Sequence, residues 1–245
     1  MGKNRRRASE APAELPEGCH HYEDLADVPW DIQKYYHQRY KIFSRYDEGI
    51  LMTDEAWFGV TPEPVANKVA QHITEAAPAE KRIIIDAFAG AGGNAIAFAS
   101  SGRWKRVYAI EKDPQVLACA KHNAEVYGVG DKISWYEGDC FSIIEKELAD
   151  IGKYSVVFAS PPWGGQAYRT DSVFNLSNMQ PYSLSDILHP FQRLIGDVVL
   201  YLPRTSDLRQ LATFAVNDQK VTVIHYCMEG ASKALCAYFG GFQLR

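Results

Sequence analysis

The sequence predicts an α/β fold: a mainly parallel sheet of seven strands, helices on both faces, and one antiparallel strand near the C-terminus. Three observations carry this. From residue 82 onward, short runs rich in β-branched residues alternate with segments of helical period, the pattern of repeated βαβ units. The first run ends in a glycine-rich turn, Gly90-Ala91-Gly92-Gly93, which leads directly into a helical segment. The last two runs are parted by glycine and polar residues, as in a hairpin, so one of them must run backwards.

Taken in order, residues 1–29 lack apolar periodicity and are rich in Pro, Glu and Ala, which predicts a disordered tail. Lys3, Arg5, Arg6 and Arg7 make its start basic, as a nuclear import tag or simply a solvated tail would be. Over 31–45, Ile32, Tyr35, Tyr36, Tyr40 and Phe43 recur at spacings of three and four, which predicts one amphipathic helix. Thr61-Pro62-Glu63 is a helix start: Thr caps, Pro suits the first turn, and Glu suits the positive end of the dipole. That helix extends to about Ala76, so residues 30–78 form a helical extension. The core, 79–245, then has strands at 82–86, 106–110, 132–136, 155–159, 198–202, 221–227 and 234–239. Helices are expected between them at 94–101, 114–127, 141–149, 185–194 and 207–215.

The composition bounds the function. A chain of 245 residues with 47 % hydrophobic residues suits one α/β domain with an extension. The formal net charge is −4, so a nucleic-acid partner would have to be held by a small local basic patch. Five widely spread cysteines without a C-x-x-C pair argue against a zinc site or a disulfide framework, and for a reducing compartment. No metal is expected. No apolar run is long enough for a transmembrane helix, and the basic N-terminus is not followed by the apolar stretch of a secretory signal.

The chemistry sits at the strand ends. Gly90-x-Gly92 alone also fits a dinucleotide fingerprint. A pyrophosphate, however, would be repelled by Asp86, whereas the cationic amino-acid end of S-adenosylmethionine would be attracted. Glu111, about 25 residues further on at the second strand end, can accept hydrogen bonds from ribose hydroxyls. Asp139, beside Cys140 after the third strand, can read the adenine amine. The fourth strand runs into Ser160-Pro161-Pro162-Trp163-Gly164-Gly165, where two prolines hold the loop rigid. Such a loop can present the Ser160 hydroxyl and main-chain carbonyls to an exocyclic amine, while Trp163 offers a flat face to a base.

Ser-Pro-Pro-Trp is similar to the Asn/Asp/Ser-Pro-Pro-aromatic motif of nucleobase amino-methyltransferases. More closely, SPPWGG (160–165), DAFAGAGGN (86–94), NAEVYG (123–128) and FSRYDEGILMTDEAWFGVTP (43–62) resemble the trimethylguanosine synthases, over roughly residues 31–245. The resemblance implies a Rossmann-like class I methyltransferase core. It also implies methyl transfer from S-adenosylmethionine, with S-adenosylhomocysteine as product, to the N2 amine of the 7-methylguanosine cap of small nuclear and nucleolar RNA. It places Thr61, Asp86, Gly90, Glu111, Asp139 and Cys140 on the cofactor side, and Ser160, Pro161 and Trp163 at the reacting amine. Phe43, Lys34, Tyr168 and Arg204 fall in segments that would meet the cap, Phe43 as a second stacking face, Lys34 and Arg204 on the triphosphate. The helical extension would thus contribute to the cap site. Glu111 stands where the family often carries Asp. A nuclear or nucleolar setting is implied, with the cytoplasm also open, and a monomer is expected. Three other readings remain at this point: an amino-methyltransferase for internal guanine or adenine of ribosomal RNA, a non-catalytic cap-binding module, and a nicotinamide oxidoreductase.

Overall fold

The computed structural model describes residues 16–165, 172–216 and 220–244. Seven strands, β1 (Ile83–Asp86), β2 (Arg106–Glu111), β3 (Ile133–Glu137), β4 (Ser155–Ala159), β5 (Val198–Pro203), β6 (Thr222–Met228) and β7 (Ala231–Phe239), form one sheet in the order β3-β2-β1-β4-β5-β7-β6. The pairs from β3 to β5 are parallel, and β7 is antiparallel to both β5 and β6. From β1 the chain first builds outward to β2 and β3, then returns to add β4 on the other side. The β1–β4 seam is therefore the switch point at which sheets of this kind bind ligands.

Alternate residues of the central strands feed opposite faces. Ile84, Val156 and Phe158 enter one core with α4 (Glu63–Ala76) and α5 (Gly93–Ser100). Ile85, Val157 and Leu200 enter the other with α7 (Cys140–Lys146) and α8 (Leu184–Leu194). On the side of the first core lies α6 (Pro114–Val126), which adds Ala124 to it and is capped by Asp113, whose side chain accepts from the N–H groups of Gln115 and Val116. The β6–β7 turn is two residues, Glu229 and Gly230, with φ of 54° and 76°. Both are left-handed, as a two-residue hairpin turn requires. The short α9 is Leu208–Ala212, less than the expected 207–215.

Two expectations change N-terminal to the sheet. The helix expected over 31–45 is two short ones, α1 (Gln33–Tyr36) and α2 (Arg39–Ile42). Gln38, at φ −103° and ψ 11°, interrupts them, and its side chain donates to the Lys34 carbonyl. The break lets Tyr36, Ile42, Phe43 and Tyr46 all point inward, where Tyr36 and Tyr46 pack edge-on or tilted against the buried Trp57 of α3 (Ala56–Gly59). Of the expected disordered tail 1–29, residues 16–29 pack on the domain. His20 exchanges main-chain hydrogen bonds with Met52 at 2.8 and 3.0 Å, and Cys19 and Val28 are buried. An extended segment that buries isolated residues leaves no periodic signal.

Candidate active site

One cleft of about 1080 Å³ opens over the carboxyl ends of β1, β2, β3 and β4. Its floor is the β1–α5 turn. Gly92 has φ 94°, and a Cβ there would crowd the Ala120 main chain at 3.3 Å, so the turn packs on α6 only because the residue is glycine. Gly90 has φ 53°, and a Cβ there would meet no protein atom within 4 Å, so the main chain is bared to the cleft.

The three strand-end carboxylates are placed quite differently. Asp86 is fully buried, and neither oxygen has a hydrogen-bond partner by geometry. Burial pushes its carboxyl up to about 7, with the Glu111 charge adding to the rise and the main-chain N–H groups of Phe88 and Ala95 opposing it. Glu111 is held by main chain: Oε2 accepts from Gly90 N at 2.9 Å, and Oε1 from Lys112 N and Asp113 N at 2.7 and 2.9 Å. A carboxylate has about four lone-pair sites, so roughly one remains for a hydroxyl. Asp139 caps α7 through Oδ1, which accepts from Ser142 N, while Oδ2 receives the Tyr182 hydroxyl at 3.4 Å. Cys140, next to it, is buried, and desolvation holds its thiol well above the usual range, so it is neutral.

Across the turn, Thr61 is buried and its hydroxyl accepts from Asn94 Nδ2 at 3.0 Å. Asn94 Oδ1 is buried without a partner. The acceptor loop closes the other wall, with Ser160, Pro161 and Trp163 all lining the cleft. Trp163 is half-buried. Its Nε1 donates to the Tyr201 carbonyl at 3.3 Å, and its ring lies 24° from the Tyr201 ring plane with centroids 6.0 Å apart.

Thus eight expected residues line one cleft, Thr61, Gly90, Glu111, Asp139, Cys140, Ser160, Pro161 and Trp163, while Asp86 is buried behind its neighbour Ala87, which does line it. Phe43 does not join them. It is 2 % exposed, belongs to the core and packs on Tyr127, because the break between α1 and α2 turns it inward, so it has no face to offer a base. Lys34 is exposed, over the ring of Tyr35, which meets Phe58 of the cleft wall edge-on. Of the extension, residues 55–56 and 58–62 line the cleft, later in the chain than the expected helix. Arg204 is exposed just past β5 and is not a wall residue. Tyr168 lies outside the described residues.

Lys233, Phe88 and Tyr182 also line the cleft, and none of them is expected there from the sequence. The hairpin register holds the signal for the first. Pro203 pairs with Ala234, so the next position along brings Lys233 beside Arg204 at the carboxyl end of the sheet. Among the described residues no cluster of His, Cys, Asp or Glu could hold a metal.

The residues fit S-adenosylmethionine. A buried carboxylate whose only donors are weakly placed main-chain N–H groups suits a cationic amino group, and a bared glycine main chain suits close approach of a ligand. The volume is enough for a nucleoside cofactor and a base together. Fold and cleft together define an S-adenosylmethionine-dependent methyltransferase. The comparisons with known proteins refine this. The family model for RNA cap guanine-N2 methyltransferases matches residues 81–242. Trimethylguanosine synthase of Schizosaccharomyces pombe is 38 % identical over 214 residues, 86 % of this chain and 87 % of the relative. That of Saccharomyces cerevisiae is 38 % identical over 181 residues, 73 % of this chain and 56 % of the relative. Two solved structures share the fold: a putative methyltransferase from Porphyromonas gingivalis W83 (TM-score 0.62, 15 % identity, 87 % of this chain and 51 % of that one) and human methyltransferase 10 domain containing protein (0.58, 17 %, 87 % and 98 %). The chain belongs to the RNA cap guanine-N2 methyltransferase family.

Proposed function

We propose that this enzyme takes 7-methylguanosine-capped small nuclear and nucleolar RNA in the nucleus, the nucleolus included, and carries the cap to the 2,2,7-trimethyl form. The observation that supports the reading best is the opening of the Ser160–Trp163 loop into the same cleft as the strand-end carboxylates. The name of the Schizosaccharomyces pombe relative supports the trimethylated product.

When bound, S-adenosylmethionine supplies an activated methyl group on a sulfonium. The roles of this chain's residues are binding, alignment and exclusion of water. Asp86 takes the cofactor's amino cation, with Gly90 giving the main chain close access and Thr61 bracing the turn through Asn94. Glu111 accepts from one ribose hydroxyl, and Asp139 and the main chain at Cys140 read the adenine. Ser160 and the carbonyls of the Pro161 turn accept from the guanine amine, aiming its lone pair. Trp163 stacks on the 7-methylated base, whose positive charge gains cation–π attraction of roughly 0.5–2 kcal/mol. Lys233, with Lys34 and Arg204 at the rim, holds the cap triphosphate, which reconciles an RNA substrate with a net charge of −4.

The test is methyl transfer to 7-methylguanosine and guanosine cap dinucleotides, followed by mass spectrometry. The expected result is one and then two methyl additions at N2 of the 7-methylated cap, and far slower transfer to the other. Equal transfer to both caps, or transfer only to internal bases of uncapped RNA, would overturn it.

A further inference from the structure

One short segment touches both halves of the cleft. Gln180 packs against the acceptor loop: a Cβ on Gly164 would lie 3.4 Å from Gln180 N and 3.5 Å from Gln180 Cβ. Gly164 itself sits at φ 90°, a left-handed conformation that glycine adopts without strain. Pro181 and Tyr182 follow immediately and line the cleft wall. The Tyr182 hydroxyl donates to Asp139 Oδ2, and its ring packs on Phe88 at 6.1 Å and Phe141 at 5.1 Å. Phe88 belongs to the β1–α5 turn, and Phe141 stacks in turn on Phe191 of α8. The far end of the segment is fixed by a capping box, in which Ser183 and Asp186 exchange hydrogen bonds at the start of α8. The segment is thus anchored behind Tyr182, and only its Gln180 side is placed to move with the acceptor loop.

We propose that Tyr182 is a positioning residue that couples the cofactor end of the cleft to the acceptor loop, so that cofactor and base bind with positive cooperativity. The inference rests on the reading that Asp139 faces the adenosyl end of the cofactor. The Tyr182 hydroxyl lies 3.4 Å from Asp139 Oδ2, close enough for both to be ordered by the same bound ligand. A ligand amine that fixes Asp139 Oδ2 also fixes the Tyr182 hydroxyl. Tyr182 then holds Pro181 and Gln180, and Gln180 holds the Gly164 end of the loop that carries Trp163. A base arriving on that loop meets it already in shape. By linkage the base must favour the cofactor by the same factor.

The experiment is calorimetry on the full chain with S-adenosylhomocysteine and 7-methylguanosine triphosphate, each titrated alone and in the presence of the other. For the unaltered protein, each ligand is expected to tighten the other by roughly fivefold or more. Tyr182→Phe keeps the ring contacts and removes the hydroxyl. It is expected to weaken S-adenosylhomocysteine by roughly 2- to 10-fold and to abolish most of the coupling. Its cap affinity without the cofactor product, and its melting temperature, should match the unaltered protein. Tyr182→Leu, which also removes the ring packing, serves as the structural comparison and should lower the melting temperature as well. Unchanged coupling in Tyr182→Phe overturns the proposal. So does an equal loss of cap affinity with and without S-adenosylhomocysteine, since that is what a purely structural role would give. If the unaltered chain binds S-adenosylhomocysteine but never the cap nucleotide, it is the cap reading that fails. The S-adenosylhomocysteine titration of Tyr182→Phe then still decides whether the hydroxyl serves Asp139, and an unchanged affinity there rejects it.

Discussion

Asp86 sets two opposing demands on one side chain. In the unfolded chain its carboxyl titrates near 3.8, and in the fold near 7. Between those values the folded state holds a proton that the unfolded state has lost, so stability falls as pH rises from about 4 to about 7 and is level above. Three units correspond to on the order of 4 kcal/mol. Asp86→Asn is therefore expected to raise the melting temperature at neutral pH and flatten its pH dependence. The same substitution should weaken S-adenosylhomocysteine by about 1.5–3 kcal/mol, since a cationic amino group prefers the ionised acid. For the unaltered protein, affinity should fall as pH drops below about 7, with proton release on binding measurable by calorimetry in buffers of different ionisation enthalpy. Trp163 gives the sharper test of the acceptor. Cap affinity should fall in the order Trp, Trp163→Phe, Trp163→Ala, and the preference for the 7-methylated cap should shrink in that order, because only the charged base gains from the ring quadrupole. Fluorescence titration with both caps reads it, and a Trp163→Ala variant that still prefers the methylated cap would remove the ring from the base. The strand-end carboxylates and the acceptor loop were legible as letters because each follows its strand directly. Phe43 was not, since helical spacing cannot distinguish a ring turned to the core from one turned to a ligand.

At the level of elements, the β-branched runs located every strand within a few residues, because a parallel sheet buried on both faces writes itself as short apolar runs. The extension was less legible. Its two short helices and irregular turns are held by aromatic packing and by hydrogen bonds between distant residues. Glu63, at the start of α4, accepts from Ser44 N and from the Tyr127 hydroxyl, both at 2.6 Å, and from the Ser44 hydroxyl at 3.0 Å. One carboxylate thus ties the extension to α4 and α6. Glu63→Ala should cost about 1–3 kcal/mol in urea unfolding, while Lys41→Ala, which removes an exposed pair with Glu229, should leave the unfolding midpoint nearly unchanged. Removal of residues 1–15 should leave both stability and cap methylation intact. Removal through Arg45 strips Ile32, Tyr36, Ile42 and Phe43 from the core and should give a chain that is insoluble or poorly folded, not merely inactive. A well-folded, soluble truncation would show the extension to be a separable module.

For the whole molecule, the net charge of −4 means that attraction for RNA must come from a local set of cations, which the proposed function puts at the cleft rim. With three cations on the triphosphate, log affinity against log salt should have a slope of roughly −2, and Lys233→Ala should reduce it by less than one unit without altering S-adenosylhomocysteine binding. A much steeper slope would mean that the RNA body is gripped beyond the cap. One topological fact bears on how the molecule comes into being. β7 is synthesised after β5 and β6 yet lies between them. A nascent chain that has reached Met228 therefore carries two unsatisfied strand edges and a half-built rim, and β6 has no place to dock until the segment behind it has been made. Ribosomal pausing there would leave a sticky intermediate in need of a chaperone. A frameshift beyond residue 230 would remove the strand that both β5 and β6 pair with, even though every motif that announces the chemistry has already been translated.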